Sequence, residues 1–383
     1  MTKDTRINVL NIGLMLMSCA AAFIMPFEVF LFAYAFLGPL HYLTEISWLH
    51  DRQYYSKGKY DYLVLLIIGI LITWDYLAYQ NQLWPYHDPE TAYAKVISLK
   101  ISDKFLLLAL FGSVIMAFVK NIPIKLISLF LLFALINNWI RPTLDADGNP
   151  VQSRESTIMY ILTSFVPTLI HVYLFTGLFM LYGALKTRSK SGLWSVLVFV
   201  ICPLLLFSLF REQHFIQVSS YGMNAYGTPG GPDGFFDLSK SILNRFMGIQ
   251  ASSTGITDRA AAQHQLDAQW VQFVYYSQAG ILLMRFIAFA YLYHYLNWFS
   301  KTEVIRWHQI PKARFAAIII LWIASVSIYA LDYSKGLQWL FFLSFSHVLL
   351  EFPLNMVSIA GIGKEAGSIF KNGFTLKRAE ARN

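Results

Sequence analysis

Long apolar runs alternate along this chain with short charged or turn-rich stretches. The runs last roughly 17–28 residues, the length that crosses a bilayer as an α-helix. They fall at residues 9–25, 27–49, 62–79, 105–119, 123–140, 157–185, 193–210, 270–298, 315–331 and 337–362. Repeated spans of this kind predict an all-α, polytopic membrane bundle of about ten helices, with residues 1–383 as one transmembrane domain. Pro26 marks the turn between the first two spans. The largest polar stretch, 211–269, is a loop inserted between spans seven and eight. Its run Gly227-Thr228-Pro229-Gly230-Gly231-Pro232-Asp233-Gly234 has neither P-loop nor dinucleotide spacing and reads as turns. Residues 258–269 are expected to form a short surface helix.

The charges between the spans set an orientation. With the N-terminus cytoplasmic, the loops 51–61, 120–122, 186–192 and 301–314 and the C-terminal tail all lie inside, and each carries Lys or Arg. The loop around Trp84, the acidic stretch around Asp145, the 211–269 segment and the link at 332–335 lie outside and are mixed or acidic. That is the positive-inside pattern, so both termini are expected in the cytoplasm and 211–269 outside it. The location read from this is a bacterial cytoplasmic membrane.

Composition supports this class. Of 383 residues, 56% are hydrophobic and 14% charged, with mean hydropathy +0.48; a soluble domain usually carries about 25% charged residues. The net charge of +8 sits in the short loops, where it serves topology and lipid headgroups, and no nucleic-acid partner is expected. Cys19 and Cys202 both lie inside apolar runs and imply no disulfide framework. Lys3 and Arg6 before an apolar stretch, with Ser18-Cys19-Ala20-Ala21-Ala22 after it, resemble a signal peptide. The apolar run continues past that point, however, and reads as a retained first span.

Against this apolar background the ionisable residues stand out, because each is expensive in hydrocarbon. His41 and Glu45 are four apart in the second span, as are His347 and Glu351 in the tenth, so a helix stacks each pair on one face. His171 lies near the middle of span six, and His294 lies towards the cytoplasmic end of span eight. His50 and His308 are nearer the membrane surface. A lone membrane histidine is usually a hydrogen-bonded contact between helices. Two carboxylates each need a partner, and a metal satisfies several such groups together. His41, His171, His294 and His347, with Glu45 and Glu351, therefore form a candidate metal site in the cytoplasmic half, and His50 and His308 are possible additions. Mixed imidazole and carboxylate donors suit iron or zinc, and no thiolate lies near them. A faint internal echo links residues 32–47 and 289–300, with Trp298 in the slot of Glu45. Arg285, in span eight, reads as a salt-bridge partner for Glu28, Asp75 or Glu351, or as an anchor for a substrate head group. The aromatic content of 16% suits interface belts and packing, or a channel for a polyene.

The stretch Gly38-Pro39-Leu40-His41-Tyr42-Leu43-Thr44-Glu45 resembles the Gly-Leu-Pro-His-Gly-x-x-Asp motif of the Brp/Blh family of integral-membrane carotene dioxygenases. It keeps the Gly, a neighbouring Pro, the His and an acid four residues on; the Pro is displaced by one, the Gly after His is absent and Glu replaces Asp. The likeness covers about one helix of ten. It implies oxygenase chemistry with iron held by membrane histidines. The leading expectation is a metal-dependent oxidoreductase, with Glu45 and Glu351 as ligands or orienters of imidazole, acting on a substrate delivered from the bilayer. That substrate would be an isoprenoid, a carotenoid or an acyl lipid. The alternatives are a proton-coupled transporter with the same residues as a relay, and a non-catalytic subunit or receptor whose 211–269 loop binds a partner.

Overall fold

The computed structural model describes residues 3–81, 83, 100–141, 143–144, 150–151, 157–209, 217–229, 234–253, 258–301, 306 and 309–374. The helices, in chain order, are α1 (Lys3–Ile24), α2 (Pro26–His50), α3 (Asp61–Gln80), α4 (Ile101–Phe118), α5 (Ile122–Trp139), α6 (Thr157–Lys186) and α7 (Lys190–Ser208). They continue as α8 (Ser220–Tyr226), α9 (Phe236–Met247), α10 (Arg259–Val271), α11 (Gln278–Ser300), α12 (Lys312–Leu331) and α13 (Tyr333–Asn372). All but α8, α9 and α10 are long and apolar enough to cross a membrane, which gives ten such helices among the described residues. One antiparallel pair of two-residue strands, Thr143–Leu144 with Pro150–Val151, lies between α5 and α6.

Local chemistry fixes where the helices begin. Met25 leaves helical geometry and Pro26 opens α2 at a position whose N–H would have no helical partner anyway. The side chains of Asn121, Ser189 and Asp258 accept from backbone N–H groups in the first turns of α5, α7 and α10. The helix expected at 258–269 is thus present as α10.

Span eight differs from its expected bounds of 270–298. Residues 270–276 finish α10 and a π-helical turn, Gln272–Tyr276. The chain is then extended at Ser277, whose Oγ accepts from Gly280 N at 3.0 Å and opens α11. An added Cβ at Gly280 would stand 2.2 Å from Phe273 O, so the break requires glycine there. Two other helices carry π-helical stretches: α2 over Ala33–Leu37 and α6 over Ile161–Phe175, the latter containing Pro167. The last helix, α13, runs well past the expected 337–362 in both directions.

By its contacts the chain divides into two compact units. The first comprises residues 1–41 and 189–337 and the second residues 42–188 and 338–383, so the boundaries fall inside α2, in the link between α6 and α7, and near the start of α13.

In the first unit α1 packs on α7 and α11, the opening turns of α2 lie on α11, and α8 and α9 pack on α2 and α11 respectively. Polar clasps fix α1: Asn8 Nδ2 donates to Ser191 Oγ at 2.9 Å, while Asn11 Oδ1 accepts from Tyr293 Oη and Ser300 Oγ, both at 3.1 Å. The core is aromatic. Phe30 is ringed by Tyr34, Tyr226, Phe235 and Tyr291 with centroids 4.6–5.9 Å away, largely edge-on, the geometry that ring quadrupoles favour.

In the second unit α4 packs between α3 and α5 and touches the π stretch of α6. Leu65, Ile68, Leu106, Leu110, Phe175, Leu349 and Phe352 share one buried cluster. Lys125, in the first turn of α5, is buried, and its Nζ lies 2.5 Å from Asp61 Oδ2. Asp61 also accepts from Gly58 N at 2.9 Å, so this carboxylate closes the loop before α3 as well.

Candidate functional site

In the first unit, α2 and α11 bring His41 and His294 together. Both are buried, and their Nε2 atoms are 3.0 Å apart. At that distance one nitrogen carries the proton and the other accepts it. Tyr295 and Trp298 stand against His41 with centroids at 5.2 and 5.3 Å. Arg285, only 1% exposed, donates from Nε to Phe23 O at 3.2 Å, and its guanidinium lies 4.0 Å above the Phe23 ring. Of the three carboxylates considered as its partners, Glu28 accepts from Ser219 N at 2.9 Å, Asp75 accepts from Ser102 Oγ, and Glu351 lies beside His171.

In the second unit, the π stretch of α6 presents His171 and α13 presents His347 and Glu351 one turn apart; all three are buried. His171 Nδ1 is 2.9 Å from Glu351 Oε2, without the alignment of a formal hydrogen bond. The rings of His171 and His347 have centroids 5.1 Å apart, and each offers a ligating nitrogen within 4.8 Å of the other's. Tyr42 stacks on His347 at 4.2 Å with 25° between the planes, which holds the imidazole in one orientation. Glu45 is buried, one turn beyond His41 along α2. The two imidazoles are near enough to contribute nitrogens to one metal ion, with Glu351 beside His171.

The six expected residues are all buried and are shared between the two units: His41 and His294 belong to the first, and His171, His347, Glu351 and Glu45 to the second. His50 is exposed at the end of α2, its Nδ1 3.4 Å from Tyr54 Oη. His308 lies outside the described residues. Two side chains that bear on the residues of the second unit were missed from sequence. Tyr42 looked like one more aromatic residue in an apolar run. Asn355, four residues after Glu351, repeats the spacing of His347 and Glu351 and was legible by that signal. Its amide is buried, and neither polar atom has a hydrogen-bond partner among the described residues. No protein-family model, characterised protein or solved structure matches this chain.

Proposed function

We propose that this chain is a membrane-embedded, metal-dependent oxidoreductase acting on a lipid-soluble substrate, an isoprenoid, carotenoid or acyl lipid, with iron as its metal. The observation that carries this reading is the joint burial of His171, His347 and Glu351 on helices of membrane-spanning length and apolarity. Nitrogen and oxygen donors without thiolate fit iron, and bound iron would supply activation of dioxygen.

His171 and His347 would hold the ion. Glu351 lies 2.9 Å from His171 Nδ1, close enough for a carboxylate to orient the imidazole. Tyr42 fixes the plane of His347. Elemental analysis of purified protein is the test. Near-stoichiometric iron is expected in the wild type and loss of it in His171→Ala and His347→Ala, whereas Glu351→Gln keeps one imidazole-orienting acceptor and should weaken binding about 10–100-fold. Wild-type protein expressed in iron-supplemented medium and free of iron would overturn the assignment.

A second reading, a proton-coupled transporter, draws on one observation: His171 sits in a long π-helical stretch with Pro167, and such irregular turns recur at functional sites. Uptake into liposomes driven by a pH gradient would favour it. The loop charges support an orientation with both termini in the cytoplasm and 211–269 outside.

A further inference from the structure

One face of α13 is polar from Ser344 to Ser358 and again at Glu365, with Leu340 and Ile362 on the same face at either end of the first stretch. Ser344, His347, Glu351, Asn355, Ser358 and Glu365 follow one another at intervals of three, four or seven residues. At 3.6 residues per turn all of them lie within about 40° of the direction of Glu351. Such a stripe is what an amphipathic helix shows to water, yet His347, Glu351, Asn355 and Ser358 are each no more than 3% exposed. From Glu351 to Ser358 the helix rises by about 10 Å, and Ile359 and Ala360, the next residues, are exposed. The buried part of the stripe thus runs from the His171–Glu351 pair to Ser358, and Glu365 continues the same face two turns on. There Arg188 joins it, Nη1 donating to Glu365 Oε2 at 2.8 Å and Nη2 to Ser368 Oγ at 3.3 Å.

Asn355 is the informative member. An amide carries two donors and an acceptor, and leaving it buried and unmatched costs about 1–3 kcal/mol. An apolar residue of similar size would avoid that cost, since Asn355 touches no protein hydrogen-bonding group among the described residues. A group that both accepts and donates would satisfy the amide and bridge to Glu351 one turn away. Water does both, and buried water generally takes about three such partners.

We propose that this face of α13 is hydrated, with a water held at Asn355, from the His171–Glu351 pair towards the Arg188–Glu365 pair. Glu351, 2.9 Å from His171 Nδ1, closes the inner end. Ser358 continues the hydrated face outward, and the Arg188–Glu365 pair marks its mouth. Tyr182, whose ring fills the space left by the absent side chain of Gly361, walls the same segment. The hydration does not depend on a metal and would serve an oxidoreductase or a transporter equally.

Water-edited solid-state NMR tests this on full-length, chelator-treated protein carrying ¹⁵N-histidine in phosphatidylcholine bilayers, with His171 and His347 assigned from their Gln variants. Magnetisation from water should reach both imidazoles in the wild type. Its build-up should slow several-fold in Asn355→Leu and persist in Asn355→Ser, whose hydroxyl still binds water. If Asn355→Leu does not fold, Ser358→Val carries the same expectation. No transfer in the wild type, or equal build-up in the wild type and the folded apolar variant, would overturn the proposal. Metal content measured on untreated samples separates this outcome from failure of the metal site.

Discussion

Lys125 and Asp61 show what a single residue contributes and why its role was hidden. They are 64 residues apart, and nothing near either one names the other. In sequence Lys125 reads as one more inside-facing charge beside a turn. In the structure its ammonium is buried against the carboxylate that also holds Gly58 N. Taking one ion away leaves the other buried without compensation, which typically costs 3–5 kcal/mol. Lys125→Met and Asp61→Asn alone should each lower stability by about that amount, read as a large fall in detergent melting temperature. The double variant should recover most of the loss, apart from the hydrogen bond to Gly58. A double variant that loses the sum of both single effects would contradict the pairing. The histidines were legible for the opposite reason: an ionisable group in an apolar run announces itself without its partner, and the i, i+4 spacing of His347 and Glu351 supplies geometry. What sequence could not supply was the alignment of α6 with α13, and so the contact of His171 with Glu351.

At the scale of elements, length and apolarity were sufficient to find the spans, since backbone groups in hydrocarbon must pair within the helix. The breaks inside apolar stretches were harder. Trp270 to Trp298 looks like one continuous run because Ser277 and Gly280 are common inside helices; only the cap geometry ends one helix there and begins another. The π stretches in α2 and α6 were invisible too, since widening a turn by one residue changes no residue type. Glycines test the distinction. Gly280→Ala drives a Cβ against two backbone carbonyls, those of Phe273 at 2.2 Å and Val274 at 2.3 Å, and neither can swing aside as a side chain would. A loss of about 1–3 kcal/mol is expected, the usual cost of overpacking. Gly13, inside α1, has nothing within 4 Å of an added Cβ. Gly13→Ala should therefore be neutral or stabilise by roughly 0.5–1 kcal/mol, from helix propensity alone. Thermal unfolding of the two variants side by side measures the difference. Equal effects would mean that the break at Ser277 is not held by the close approach of these carbonyls.

For the whole molecule, the strongest sequence-level statement is the asymmetry of charge between alternate loops, and it governs how the proposed chemistry would be supplied. If both termini are cytoplasmic, α13 runs outward to inward, and the emergent end of its polar face, with Arg188 and Glu365, opens toward the cytoplasm. Water would then reach the His171–Glu351 pair from the cytoplasmic side. The prediction is direct because the chain holds only two cysteines, Cys19 and Cys202, whose replacement by Ser clears the background. Lys57 and Thr228 are both exposed and lie in loops assigned to opposite sides. In intact cells, Thr228→Cys should react with a membrane-impermeant maleimide, whereas Lys57→Cys and Lys371→Cys should react only after permeabilisation. The reverse pattern would invert the bundle. It would leave the histidine groups intact but put the mouth of the polar face on the outer side, where a proton-coupled transporter loading from outside becomes the better reading of the same residues. The labelling result therefore decides which compartment's water reaches the buried pair.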